Sequence, residues 1–168
     1  MFKQSKDLNV ECFSDADWAG SIDDRKSTTG YCVYLGGNLI TWSSKKQKAV
    51  AKSSTKVEYR ALSQTASEVA WLNSLFKELG IPHKLPAIIW CDNAGAKLLA
   101  SNPIFHSRTK HIEVDVHYIR DQVKQGKIEI RHIPTSEQTA DIFTKAISIQ
   151  QFKYLKNKLV VVAQPRQV

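Results

Sequence analysis

Cysteine is scarce in this chain. Cys12, Cys32 and Cys91 are the only three, and no two form a CxxC pair. An odd count without paired spacing argues against a disulfide framework or a structural zinc site. Each lies in an apolar, strand-like run, which suits a buried free thiol. Long hydrophobic runs are missing as well. No stretch approaches the ~18 apolar residues that read as a membrane span, and the cluster at Leu159–Ala163 is far too short. The N-terminus has no signal-peptide pattern. The expectation is therefore an intracellular protein, in a cytoplasmic particle or the nucleus, with no membrane partner. Acidic side chains are in the minority: 16 Asp+Glu against 24 Lys+Arg leave a formal net charge of +8. A basic surface favours polyanionic partners over acidic or neutral ones. Repeats and low-complexity segments are absent too.

What remains is an ordinary globular composition, 42% hydrophobic and 24% charged over 168 residues, enough for one domain with a sizeable core. The expected division is a flexible segment over 1–7, a folded domain over 8–160 and a flexible tail over 161–168. Leu8–Ser14 reads as a first strand. Ala19–Gly30 reads as a loop. Tyr31–Leu35 and Leu39–Ser43 read as strands joined at Gly36-Gly37-Asn38, a hairpin signal. Ser53–Leu79 is the longest helical pattern, with Leu62, Ala66, Val69, Leu72, Phe76 and Leu79 at three- and four-residue steps and Gly80 and Pro82 as stops. Pro86–Cys91 is a continuous apolar run that suits a strand covered on both faces. A short helix is expected over Asn93–Ala100, a longer one over His111–Gln125, a last strand over Lys127–Ile133, a helix from Pro134 through Thr144, and a small helix over Gln150–Leu159. This order implies a mixed sheet with helices on its faces.

Four acids stand in places where a carboxylate needs a partner. Asp15 falls where the first strand gives out, with Asp17 as a near-equal rival. Glu58 lies four residues before Leu62, in phase with the buried stripe of the long helix, where an unpaired charge is costly. Thr55-Lys56-Val57-Glu58 also fits a capping box, in which Glu58 would fold back onto the helix start. Asp92 closes an apolar strand, where α/β proteins bind ligands; it could equally cap the following helix. Asp141 sits one turn into a late helix, where the helix dipole alone would welcome it. Singly each is weak. Jointly, four oxygen donors suit Mg²⁺ or Mn²⁺ rather than zinc.

Several motifs together are more specific. Ser14-Asp15-Ala16-Asp17-Trp18-Ala19-Gly20, Ser53-Ser54-Thr55-Lys56-Val57-Glu58-Tyr59-Arg60-Ala61-Leu62, Cys91-Asp92-Asn93, His106-Ser107-Arg108-Thr109-Lys110-His111-Ile112 and Thr139-Ala140-Asp141-Ile142-Phe143-Thr144-Lys145 resemble the ribonuclease H domain of copia-type retrotransposon Pol polyproteins. The resemblance runs from about Leu8 to Leu159. It implies an α/β, ribonuclease H-like fold: a five-stranded mixed sheet, order 3-2-1-4-5, flanked by helices. It implies a catalytic and metal-binding set of Asp15, Glu58, Asp92 and Asp141, and favours Asp15 over Asp17. The activity implied is hydrolysis of the RNA strand of an RNA–DNA hybrid with two Mg²⁺ ions, for which Mn²⁺ can substitute. Ser54 and Thr55 fall where relatives contact the hybrid's minor groove, Asn93 is a further substrate contact, and Arg108 and Lys110 would meet phosphates.

The sequence also departs from the pattern. Ala94 stands where many relatives carry Gln. His132, the only histidine near the position of a mobile active-site histidine, falls in strand phase and is expected to face the helices or the core. The implied partners are the hybrid and a reverse transcriptase domain, in the same polyprotein or in trans, with the chain itself a monomer. The competing expectation is a catalytically inactive remnant that binds nucleic acid without cutting it.

Overall fold

The computed structural model describes residues 4, 5, 7–93, 95 and 113–159. Five strands form one sheet: β1 (Asn9–Asp17), β2 (Thr28–Leu35), β3 (Asn38–Lys46), β4 (Lys84–Cys91) and β5 (Ile128–His132). Their order is β3-β2-β1-β4-β5. The β1–β2 and β2–β3 pairs are antiparallel, whereas β1–β4 and β4–β5 are parallel. The first strand is thus the middle of the sheet, with a meander on one side and crossover strands on the other. The loop expected over 19–30 ends earlier, because Thr28 and Thr29 already pair across to Lys46 and Lys45. Gly36 and Gly37 take φ of 56° and 78°, a two-residue hairpin turn that side chains with a Cβ resist.

Helix α1 (Ser54–Glu78) starts behind Ser53, whose side chain accepts from the Lys56 N–H. It buries Tyr59, Leu62, Ala66, Val69, Leu72 and Phe76 against Val10, Cys12, Val33, Ala87, Ile89 and Cys91 of the sheet. The expected stripe stops one step short: Leu79 is exposed at the C-cap. Helix α2 (Glu113–Lys124) adds Ile119 to the same layer and ends before Gly126, at φ 65°. The other sheet face carries a smaller cluster of Cys32, Tyr34 and Leu159, with Phe13, Leu39, Ile142 and Phe143 packed beside it. Helix α3 (Ile149–Lys158), capped by Ser148, supplies Leu155 and leads to Leu159. In β4, Ala87, Ile89 and Cys91 are buried, while Ile88 and Trp90 are only half-buried. That strand is closed on one face and partly open on the other, rather than covered on both.

Two further expectations change. The helix expected from Pro134 through Thr144 is two 3-10 turns, Thr135–Glu137 and Thr139–Phe143. Gln138 separates them with an extended ψ of 99°. His132 ends β5 opposite Cys91 and is exposed, not turned toward the helices or core. The helix expected over 93–100 lies almost wholly outside the described residues, as do residues 111 and 112 of the one before Gly126. All three cysteines are buried free thiols.

Candidate metal centre

Strand register brings the first two acids level. Phe13 is the parallel partner of Trp90, so two residues on, Asp15 and Asp92 leave neighbouring strands at the same end of the sheet. Asp15 is fully buried; Asp92, just past β4, is half-buried. Asp141 arrives on the second 3-10 turn, which Gln138 fastens to the sheet. The buried Gln138 side chain donates to the carbonyls of Ser14 in β1 (3.1 Å) and Trp90 in β4 (3.5 Å), and accepts from the Ala140 N–H (3.2 Å). One side chain thereby ties Asp141 to both strands that deliver the other acids.

Gly30 completes the approach. It lies in β2 opposite Asp15. A Cβ there would stand 2.6 Å from Thr144 Cγ2 and 2.8 Å from Phe143 Cβ. Only a residue without a side chain lets the second 3-10 turn press onto β2 so closely.

The four carboxylates form two overlapping groups. Asp15, Asp92 and Asp141 each offer an oxygen within 4.8 Å of the others, and so do Glu58 and Asp92 together with the Cys91 sulfur. Asp92 belongs to both. Glu58 is 7% exposed and does not serve as a capping-box partner, since Ser53 caps α1. The backbone of Ala16 is its hydrogen-bond partner, and Glu58 Oε2 is buried without one among the described residues. Burial, and then the charges of Asp15 and Asp92, push the Glu58 carboxyl up to about 9. Burial raises Asp141 to about 6; the Lys145 hydrogen bond opposes that rise and the Asp15 charge adds to it. Asp17 is half-buried, and burial followed by the Asp15 charge lifts it too. It belongs to neither group of possible ligands among the described residues. The Cys91 thiol is held high by burial first and then by Glu58, so it is a poor thiolate donor.

Three neighbours that touch these acids have no role in the sequence reading. Lys145 Nζ lies 3.1 Å from Asp15 Oδ1 and 2.8 Å from Asp141 Oδ1. Burial works against its charge, but the carboxylates of Asp15 and Asp141 outweigh it and hold the ammonium above its ordinary range. Thr144 Oγ1 donates to Asp15 Oδ2. The available signal was spacing alone: Lys145 follows Asp141 by four residues, a separation at which side chains meet along a helical turn. Thr135 Oγ1 donates to Asp92 Oδ2 at 3.0 Å. Of the expected substrate contacts, Ser54 and Thr55 open α1 one turn before Glu58, and Asn93 follows Asp92 with its N–H toward the Cys91 sulfur at 3.4 Å. Arg108 and Lys110 lie outside the described residues.

These features, a β3-β2-β1-β4-β5 mixed sheet with acids gathered where β1 and β4 end, define the class. The fold is that of ribonuclease H domains. The N-terminal RNase H domain of a Mycobacterium tuberculosis protein superposes with a TM-score of 0.57 at 15% identity, over 89% of this chain and 97% of that one. An RNase H1 crystallised with an RNA/DNA hybrid gives 0.57 at 13% identity, over 81% and 94%. By descent, the chain is a homologue of the retrovirus-related Pol polyproteins of copia-type transposons. It is 49% identical over 163 residues to the Pol polyprotein of the Arabidopsis thaliana transposon RE2, a match that covers 97% of this chain and 11% of the polyprotein. The chain thus spans about a tenth of the length of that relative. No protein-family model matches it.

Proposed function

We propose that the chain is a divalent-metal-dependent ribonuclease H that hydrolyses the RNA strand of RNA–DNA hybrids during retrotransposon reverse transcription. The observation that carries this reading is the convergence of Asp15, Glu58, Asp92 and Asp141 on one end of a ribonuclease H sheet. The donor set fits a hard cation: it is rich in carboxylate oxygen, and Glu58 Oε2 is a buried acceptor that no donor among the described residues reaches. Asp15, Asp92 and Asp141 would hold Mg²⁺ or Mn²⁺, with Glu58 as the fourth ligand. When bound, a pair of such ions supplies an activated water and stabilises the leaving oxygen of an in-line displacement.

The remaining work falls to the chain itself. Gln138 and Gly30 hold the Asp141 turn against the strands, so the carboxylates are in place before substrate arrives. Thr135 and Thr144 orient Asp92 and Asp15 by hydrogen bonding. Ser54, Thr55 and Asn93 would read the minor groove, where 2′-hydroxyls distinguish the RNA strand, and Arg108 and Lys110 would take phosphates. The net charge of +8 supports a polyanionic substrate. The crystallised RNase H1 neighbour with its bound RNA/DNA hybrid, and the Pol polyprotein relatives, support the hybrid as substrate and a reverse transcriptase domain as the partner in the longer protein.

The test is cleavage of an end-labelled hybrid with Mg²⁺. The chain should cut the RNA strand, leave double-stranded DNA intact, and lose activity in EDTA. Asp92→Asn should lower the rate by at least about 10²-fold. Hybrid binding with cleavage no better than that of Asp92→Asn would replace this reading with the inactive remnant.

A further inference from the structure

The acids of the centre already share a cation of the chain's own. The Lys145 ammonium bridges one oxygen of Asp15 and one of Asp141, the two carboxylates that form a possible ligand group with Asp92. Its stem is not locked in. The Lys145 side chain is 32% exposed, whereas the Asp15 side chain it contacts is fully buried. The backbone beneath it is fixed: the Lys145 and Thr144 N–H groups both donate to the Asp141 carbonyl, and Gln138 pins the start of the turn. A flexible four-carbon arm on a fixed base can leave the carboxylates without moving them. An ammonium donating to these oxygens and a divalent ion ligated by them would compete for the same lone pairs.

Resting on the metal-centre reading above, we propose that Lys145 is a resident counter-ion: it fills the Asp15–Asp141 site while divalent metal is absent and swings out to solvent when the metal enters. Metal uptake is then an exchange of one cation for another. The ammonium keeps the empty centre from repelling itself apart, and it sets a threshold that the metal must exceed. Once displaced, the charged tip lies at the rim of the centre, where the scissile phosphate would arrive.

The exchange can be read without any catalysis. In the full chain labelled with ¹⁵N-lysine and stripped with EDTA, the ion-paired Lys145 ammonium should give a side-chain NMR signal that Lys145→Arg lacks. That signal should shift or vanish as Mg²⁺ saturates the protein. By calorimetry, Lys145→Met should bind Mg²⁺ about tenfold more tightly than the parent chain, yet melt at a lower temperature in EDTA. If the Lys145→Met variant does not fold, the NMR titration, with Lys145→Arg as the assignment control, decides the matter alone. A Lys145 signal unmoved at saturating Mg²⁺, or equal affinities in parent and variant, overturns the exchange and leaves the metal centre standing. Absence of Mg²⁺ binding in both proteins overturns the exchange together with the centre on which it rests.

Discussion

Glu58 carries a negative charge only at a cost, and the cost depends on pH. Its ordinary carboxyl value is 4.5, and the folded environment lifts it to about 9. Between these values the native protein holds a proton that the unfolded chain would release. Stability of the metal-free protein should therefore be highest below pH 4.5 as far as this group is concerned, and should fall as pH climbs toward 9. The slope from one such group is at most about 1.4 kcal/mol per pH unit. Thermal unfolding in EDTA across that window should show the decline, and Glu58→Gln should flatten it while removing hybrid cleavage. Asp141, lifted to about 6, adds its own decline at the acid end, so a decline that persists between pH 6 and 9 in Glu58→Gln would mean that another group holds the proton. The sequence placed Glu58 correctly in the phase of the buried stripe. It left a capping role equally open, because S/T-x-x-E is satisfied at Thr55; the helix is capped two residues earlier, at Ser53, which frees the carboxylate.

The second 3-10 turn is the element on which the centre depends most, and it was the one least legible beforehand. A helix read over residues 134–144 places Asp141 on a dipole. The actual segment breaks at Gln138, whose side chain is drawn into the sheet by two strand carbonyls separated from it by 124 and 48 residues. Pairings of that range leave no local pattern in the sequence. The Lys145 and Thr144 contacts to Asp15 were hidden for the same reason. Gln138→Leu should lose about 1–3 kcal/mol by stranding the Ser14 and Trp90 carbonyls, measured by denaturant unfolding. Gly30→Ala should cost about 1–3 kcal/mol through overpacking against Thr144 and Phe143. It should also impair Mg²⁺ binding measured by calorimetry, since the turn must retreat from Asp15 to make room. Unchanged Mg²⁺ affinity in a folded Gly30→Ala protein would contradict that geometry.

For the molecule as a whole, the succession of strands and the long first helix were readable because hairpin glycines, 3.6-residue periodicity and apolar runs are local signals; the order of strands across the sheet came only with the resemblance to ribonuclease H domains. Strand ends were less so: β2 and β3 both extend toward the loop at 19–27, where Thr, Ser and Lys continue the ladder that the apolar residues begin. The excess of basic residues makes a prediction at this scale. With Asp92→Asn to prevent cutting, hybrid affinity should fall linearly in log–log form as salt rises, at a slope near −0.7 to −0.9 per phosphate contacted; fluorescence anisotropy with a labelled hybrid measures it. An affinity indifferent to salt would place recognition outside the basic surface.

Because the chain enters the sheet at its central strand, no contiguous stretch much shorter than the domain holds all four of the proposed ligands. Cutting between β3 and α1 would strand Asp15 on a three-stranded meander and leave β4 and β5 without the neighbour that joins them to it. If the proposed centre takes Mg²⁺, titrating the ion into this protein would also report whether it is folded: uptake would require the N-terminal strand and the segment beyond residue 138 to have come together across nearly the full length of the polymer.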